Sequence, residues 1–225
     1  MRGGPAGLAL PVPALYPSAM LNTFLQIFLT VFIVIDPIGI VPLFISTTNR
    51  MTEAQKKRTI WKAVAVAFVV LGIFTLAGRF ILSFFGISPG SFYVAGGTLF
   101  FLISIDMLFG QPKRTKTSKE EEEEDSSSVA VFPLAIPMIA GPGTITTLML
   151  YSADAPSYLT ITLLLFGAIV LSLAGVTLAM FSSRIVLRIL GRTGVSVVER
   201  MMGLVLSGLA IQFVYDGLVK LGILG

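Results

Sequence analysis

Long apolar runs separated by short polar clusters dominate the chain. Six runs are long enough to cross a bilayer as helices: residues 21–47, 61–84, 90–110, 130–151, 158–182 and 200–222. They are continuous rather than alternating at every second residue, which argues for helices and against barrel strands. The pattern predicts an all-α membrane protein with six transmembrane helices. Two runs are interrupted midway. FLQIFLTVFIVI at 24–35 leads into Asp36-Pro37, and IGIVPLFI follows at 38–45. Proline donates no backbone hydrogen bond and its ring clashes with the preceding turn, so the helix breaks there. The fourth run is broken in the same way by Gly141-Pro142-Gly143-Thr144.

Each broken run opens a set of three. Aligning Pro37 with Pro142 sets DPIGI against GPGTI, and aligning Asp106 with Asp216 sets ISIDMLFG against QFVYDGLV. An odd number of spans per set forces the two sets into opposite orientations. The expected architecture is therefore two inverted three-helix repeats, 21–110 and 130–222, with a broken helix at the first span of each. Residues 1–20, rich in Gly, Pro and Ala, read as a flexible N-terminal leader. Residues 111–129 read as a charged linker, whose acidic run Glu120 to Asp125 repels itself and stays solvated. The alignment also predicts depth: the breaks meet near mid-membrane, and Asp106 and Asp216 lie toward opposite ends.

Charge sets the orientation. Thirteen of the sixteen Lys and Arg residues fall near 48–62, 113–119 and 184–200. The positive-inside rule then puts the loops around 48–61, 111–129 and 183–199 in the cytoplasm and both termini outside the cell membrane. That distribution accounts for the net charge of +4 without a nucleic-acid partner. The chain has no Cys and no His. A disulfide framework, a thiolate nucleophile and a histidine proton shuttle are excluded, and no metal or other cofactor is expected. No phosphate-binding P-loop is present, so ATP does not drive this chain directly.

DPIGIVPLF at 36–44, VAGGTLFFLISIDML at 94–108, IAGPGTIT at 139–146 and QFVYDGL at 212–218 resemble the MarC-related integral membrane proteins. The likeness runs from about residue 21 to 222. That family is grouped with the LysE-type exporters, which also have six spans. The resemblance implies a secondary transporter, an exporter or permease, of small neutral amino acids such as glycine or alanine. It implies no enzymatic activity.

The residues at the breaks suit such a substrate. A broken helix exposes amides that attract a carboxylate and carbonyls that attract an ammonium or a coupling proton or sodium ion. Asp36 is a candidate for the ammonium or the coupling proton. Gly39, Gly141 and Gly143, beside Pro37 and Pro142, let a ligand approach the backbone. Thr144 and Thr146, with Thr147, offer hydroxyls. A structural reading of Asp36 stands alongside: Asp before Pro is a favoured helix start, so Asp36 caps the helix that resumes there. Asp106, Gln212 and Asp216 are candidates for gating or coupling; for the two acids at span ends a structural or gating role stands level with ligand binding, and Gln212 reads as a polar lining residue or interhelical glue. Gln212 and Asp216 share a helix face by i,i+4 spacing. Ala95-Gly96-Gly97 and Gly203 with Ser207 suit close helix packing. The remaining partners expected are the lipid bilayer and a further copy of the chain in a homo-oligomer.

Two other readings make different demands on the chain. A scaffold or regulatory membrane protein needs no paired mid-membrane breaks. An intramembrane aspartic protease needs two carboxylates a few ångströms apart. The inferred topology instead sends Asp106 and Asp216 to opposite sides.

Overall fold

A computed structural model describes residues 17–109, 130–153 and 157–224, all of the regular structure among them helical. Most of the leader and the acidic linker lie outside the described residues. The helices are α1 (Pro17–Ile35), α2 (Ile40–Thr47), α3 (Glu53–Phe84), α4 (Pro89–Phe109), α5 (Ala130–Ile139), α6 (Pro142–Ala153), α7 (Tyr158–Phe181) and α8 (Ser183–Lys220).

Among the described residues, four stretches are long and apolar enough to cross a membrane: α3, α4, α7 and Thr193–Lys220 of α8. A fifth arises if α1 and α2, bent by 42° at Asp36, count as one span. The run at 130–151 is divided into α5 and α6, of 10 and 12 residues, each too short to cross alone. α5 is wound as a π-helix, with Ala140 N–H donating to Ala135 O at 2.8 Å, five residues back. Pro133 and Pro137 bring no backbone N–H to this segment, so a regular i→i−4 ladder cannot run through it.

The connections are more helical than the hydropathy suggests. α3 begins at Glu53 because Thr52 and Gln55 form a reciprocal capping box. The basic connection near 183–199 is helical too. In SRIVLRIL, Arg184 and Arg188 recur at i,i+4 beside exposed Ile185 and Ile189, a pattern suited to a membrane interface. Gly191, at φ 64° and ψ 179°, breaks α8 between this segment and the apolar part. Only glycine takes that conformation without strain. Glu53 Oε1 accepts from Arg184 Nη2 at 2.6 Å, tying the starts of α3 and α8 together.

Inside the bundle, α1 packs on α7, α5 and α6 pack on α3, and α4 runs antiparallel to α8 along its length. The α4–α8 seam is built from small residues seven apart. Gly90, Gly97 and Ser104 on α4 meet Gly217, Ala210 and Gly203 on α8. A Cβ on Gly217 would sit 2.8 Å from Gly90 O, and one on Gly203 would sit 3.2 Å from Ser104 O. Backbones this close give up side-chain volume for dense van der Waals contact, the main attraction available between helices in lipid. The seam thus uses Gly203 with Ala210 and Gly217, whereas Ser207 bonds back to Leu204 O in its own helix. Many large apolar side chains stay exposed, among them Phe80, Leu163, Leu178 and Leu204. That is the outer surface expected of a protein solvated by lipid.

Candidate functional site

Asp36 ends one helix and braces the turn that leads into the next. Its N–H donates to Phe32 O at 3.1 Å, closing α1. Its φ is 54°, the left-handed region that terminates helices and that Asp tolerates better than most residues. Its Oδ1 then accepts from Gly39 N–H at 3.0 Å, and its own carbonyl accepts from Ile40 N–H at 3.2 Å. The Asp36 side chain thus makes a capping bond to the residue three ahead, but the helix expected to resume at Pro37 starts only at Ile40, with residues 37–39 in a turn and Gly39 at its N-cap. The residue is 2% exposed, and Pro37 and Gly39 are buried beside it.

Gly39 holds a second acid close. The point where a Cβ on Gly39 would sit lies against Asp36 Oδ2 and 2.7 Å from Glu199 Oε1. The two carboxylates are thus within about 5 Å of each other. Glu199 sits on α8 beyond the Gly191 break. In the sequence it falls at the end of a basic connection and carries no motif. The available signal was an acid one turn before the packing glycine Gly203.

The second break is patched by its own hydroxyls. Thr144 Oγ1 donates to Ile139 O at 3.0 Å, and Thr147 Oγ1 donates to Gly143 O at 2.8 Å. The first satisfies a carbonyl that the interrupted ladder frees, and the second is an i−4 back-bond within α6. Gly141 is pressed against Pro137 O of its own segment, while Pro142 is exposed. Thr146 turns its methyl toward Gly96 of α4.

The two breaks adjoin. A Cβ on Gly143 would lie 2.9 Å from Val34 Cγ1, two residues before Asp36, and 2.8 Å from Ile103 Cδ1. α1 also packs on α6, and α2 on α5. Asp106 and Asp216 are not part of this junction. Asp106 is exposed near the end of α4. Asp216 accepts from Gln212 Nε2 at 2.8 Å on its own helix. The seam pairs Gly203 with Ser104 and Gly217 with Gly90, so these two acids stand about 20 Å apart at 1.5 Å of rise per residue. They do not form a catalytic carboxyl pair.

The family model described as MarC family integral membrane protein matches residues 21–221. The chain belongs to the MarC family. The match begins within α1 and ends just past α8, so both breaks and the α4–α8 seam lie inside the matched range. Curated relatives named UPF0056 membrane protein cover nearly the whole chain. One from Archaeoglobus fulgidus is 38% identical over 90% of this chain and 95% of its own length. Another, from Methanocaldococcus jannaschii, is 39% identical over 88% of this chain and 97% of its own. One from Aquifex aeolicus is 34% identical over 88% and 93%. No solved structure matches the chain. The MarC chain is thus an integral, multi-pass membrane protein. Its relatives' names state a location and no activity.

Proposed function

We propose that this MarC-family chain is a secondary transporter of small neutral amino acids, an exporter or permease working by alternating access. The observation that carries this reading is the junction of two helix breaks, with Gly143 against Val34 and a buried Asp36 at its edge. Paired broken helices inside an apolar bundle suit a substrate with one carboxylate and one ammonium. The amino-acid class follows from the family resemblance and from the small residues at the junction.

The architecture proposed is six spans in two inverted halves, with α5 and α6 together as the fourth span. Helix contacts support it. Exchanging the halves turns α1 against α7 into α5 against α3, turns α2 against α8 into α6 against α4, and leaves the α4–α8 pair unchanged. The distribution of basic residues supports cytoplasmic connections at 48–61, 111–129 and 183–199, with both termini outside. Asp36 is the residue proposed to meet the ammonium or carry the coupling ion.

The hydrogen bond from Gly39 favours a second reading, in which Asp36 is purely a cap. Asp36→Asn separates the two. Asparagine keeps the capping oxygen and tolerates the left-handed conformation, yet it loses the charge. Uptake of radiolabelled glycine, alanine and serine into proteoliposomes, with and without a proton gradient, is the measurement. The proposal expects flux from the wild type and its loss in a folded Asp36→Asn protein. Equal flux in both assigns Asp36 to the cap alone, and no flux of any of these substrates refutes the substrate class.

A further inference from the structure

Four aromatic rings from both halves of the chain converge beside the junction. Phe213 of α8 lies 5.4 Å from Phe100, 5.8 Å from Tyr93 and 6.2 Å from Tyr151, centroid to centroid. Tyr93 and Phe100 belong to α4, and Tyr151 to α6. All four are nearly or fully buried. Phe100 marks where the cluster begins: its Cε1 is 3.9 Å from a Cβ placed on Gly143. From there the cluster runs along α4 to Tyr93, two turns or about 10 Å away. Lys220 Nζ covers the far ring, 5.3 Å from the Tyr93 centroid.

One hydrogen bond ties this cluster to the broken helix. Thr30 Oγ1 and the Tyr151 hydroxyl are 3.2 Å apart, across 121 positions of sequence. Thr30 Oγ1 also lies 2.8 Å from Gln26 O, which can only accept. The single threonine proton goes to that carbonyl, so Tyr151 is the donor to Thr30. Thr30 is 1% exposed and lies on α1 ahead of Asp36. A buried hydroxyl pair between α1 and α6 is a discrete contact, either made or broken, while rings can slide or rotate apart without leaving polar atoms unpaired.

We propose that Tyr93, Phe100, Tyr151 and Phe213, latched by the Tyr151–Thr30 hydrogen bond, are a gate. It seals the junction of the two breaks from the face of the bundle that bears Lys220. The proposal rests on the reading of that junction as a transport site. Opening requires α6 to part from α1 at Tyr151. The rings then separate at Phe213, the one ring that touches the other three.

The chain lacks cysteine, so a single engineered thiol reports access to the junction. Val34→Cys places it there. In membrane vesicles a membrane-impermeant thiol reagent is added from each side in turn. The side that labels Leu221→Cys, exposed next to Lys220, defines the gated face. In the Val34→Cys background, Thr30→Val and Tyr151→Phe are expected to raise labelling from that face about fivefold, the population shift that one lost hydrogen bond gives. Labelling from the other face stays unchanged. Thr30→Ser keeps the hydroxyl and the background rate. Tyr151→Phe keeps the ring and its contact with Phe213, so the cluster folds as before. Unchanged labelling in both latch variants overturns the gate, as does an equal rise from both faces. Amino-acid flux is measured in the same vesicles. A gated thiol without flux keeps the gate and refutes the transport reading, and flux without gating does the reverse.

Discussion

Gly97 and Ala210 meet backbone to backbone: a Cβ on Gly97 would sit 2.7 Å from the Ala210 carbonyl oxygen and 2.9 Å from Val214 N. Neither atom is the end of a flexible side chain, so the helices themselves have to part. Gly97→Ala is expected to destabilise the protein by about 1–3 kcal/mol, the usual range for overpacking. Gly208, on the same helix, has open space around it. Gly208→Ala is expected to be neutral or slightly stabilising, because alanine orders a helix at less entropic cost. Thermal unfolding of both variants in one detergent gives the comparison.

Asp36 carries two separable structural terms. Asp36→Ala loses the bond from Gly39 and puts a less tolerant residue at φ 54°. The expected loss is about 2 kcal/mol, from roughly 1 for the cap and 1 for the conformation. Asp36→Asn is expected to retain most of that stability. A drop in unfolding temperature of equal size in the two variants contradicts the capping account.

Gly39 has no room for a side chain between Asp36 and Glu199. Gly39→Ala is expected to destabilise by about 1–3 kcal/mol. Glu199→Ala in the same chain restores part of the loss, since the glutamate is one of the groups displaced. Asp36, held by its bond to the Gly39 amide, yields less readily. A double-mutant cycle on unfolding free energy reads the coupling, and strict additivity rules out the convergence of these two acids.

Thr144 patches the Ile139 carbonyl at the second break. Thr144→Val keeps the shape and removes the donor, leaving a buried acceptor without that partner. The expected cost is about 1–3 kcal/mol, whereas Thr144→Ser is nearly neutral. Unfolding of the two variants side by side tests it.

Glu53 supplies a pH dependence outside the membrane. Its carboxyl is held below the ordinary value of 4.5, first by the hydrogen bond from Lys56 and further by the charge of Arg184. A lowered folded-state pKa means the stabilisation is fully present above about 4.5 and disappears as pH falls through the folded value. The stability difference between wild type and Glu53→Gln should therefore be flat near neutrality and vanish in acid. The side chain is exposed, so added salt shrinks the difference as well.

Hydrophobic run length alone determined that this is a helical membrane protein, because a bilayer demands about twenty apolar residues per crossing and internal pairing of every backbone group. The Asp-Pro and Gly-Pro-Gly breaks were legible for a local reason: proline lacks a donor wherever it stands. The cap on Asp36 was legible for the same reason, as its partner is three residues away. What lay beyond the sequence was every partner chosen at long range. Glu199 reaches Gly39 only because α8 packs on α2, and Tyr151 finds Thr30 only because α6 lies on α1. The hydropathy pattern also hid the π-winding of α5 and the break at Gly191, since both leave the apolar content of their segments unchanged. Composition records what a residue prefers as solvent. Which residue it meets is decided by how the helices pack, and that is a property of the tertiary structure.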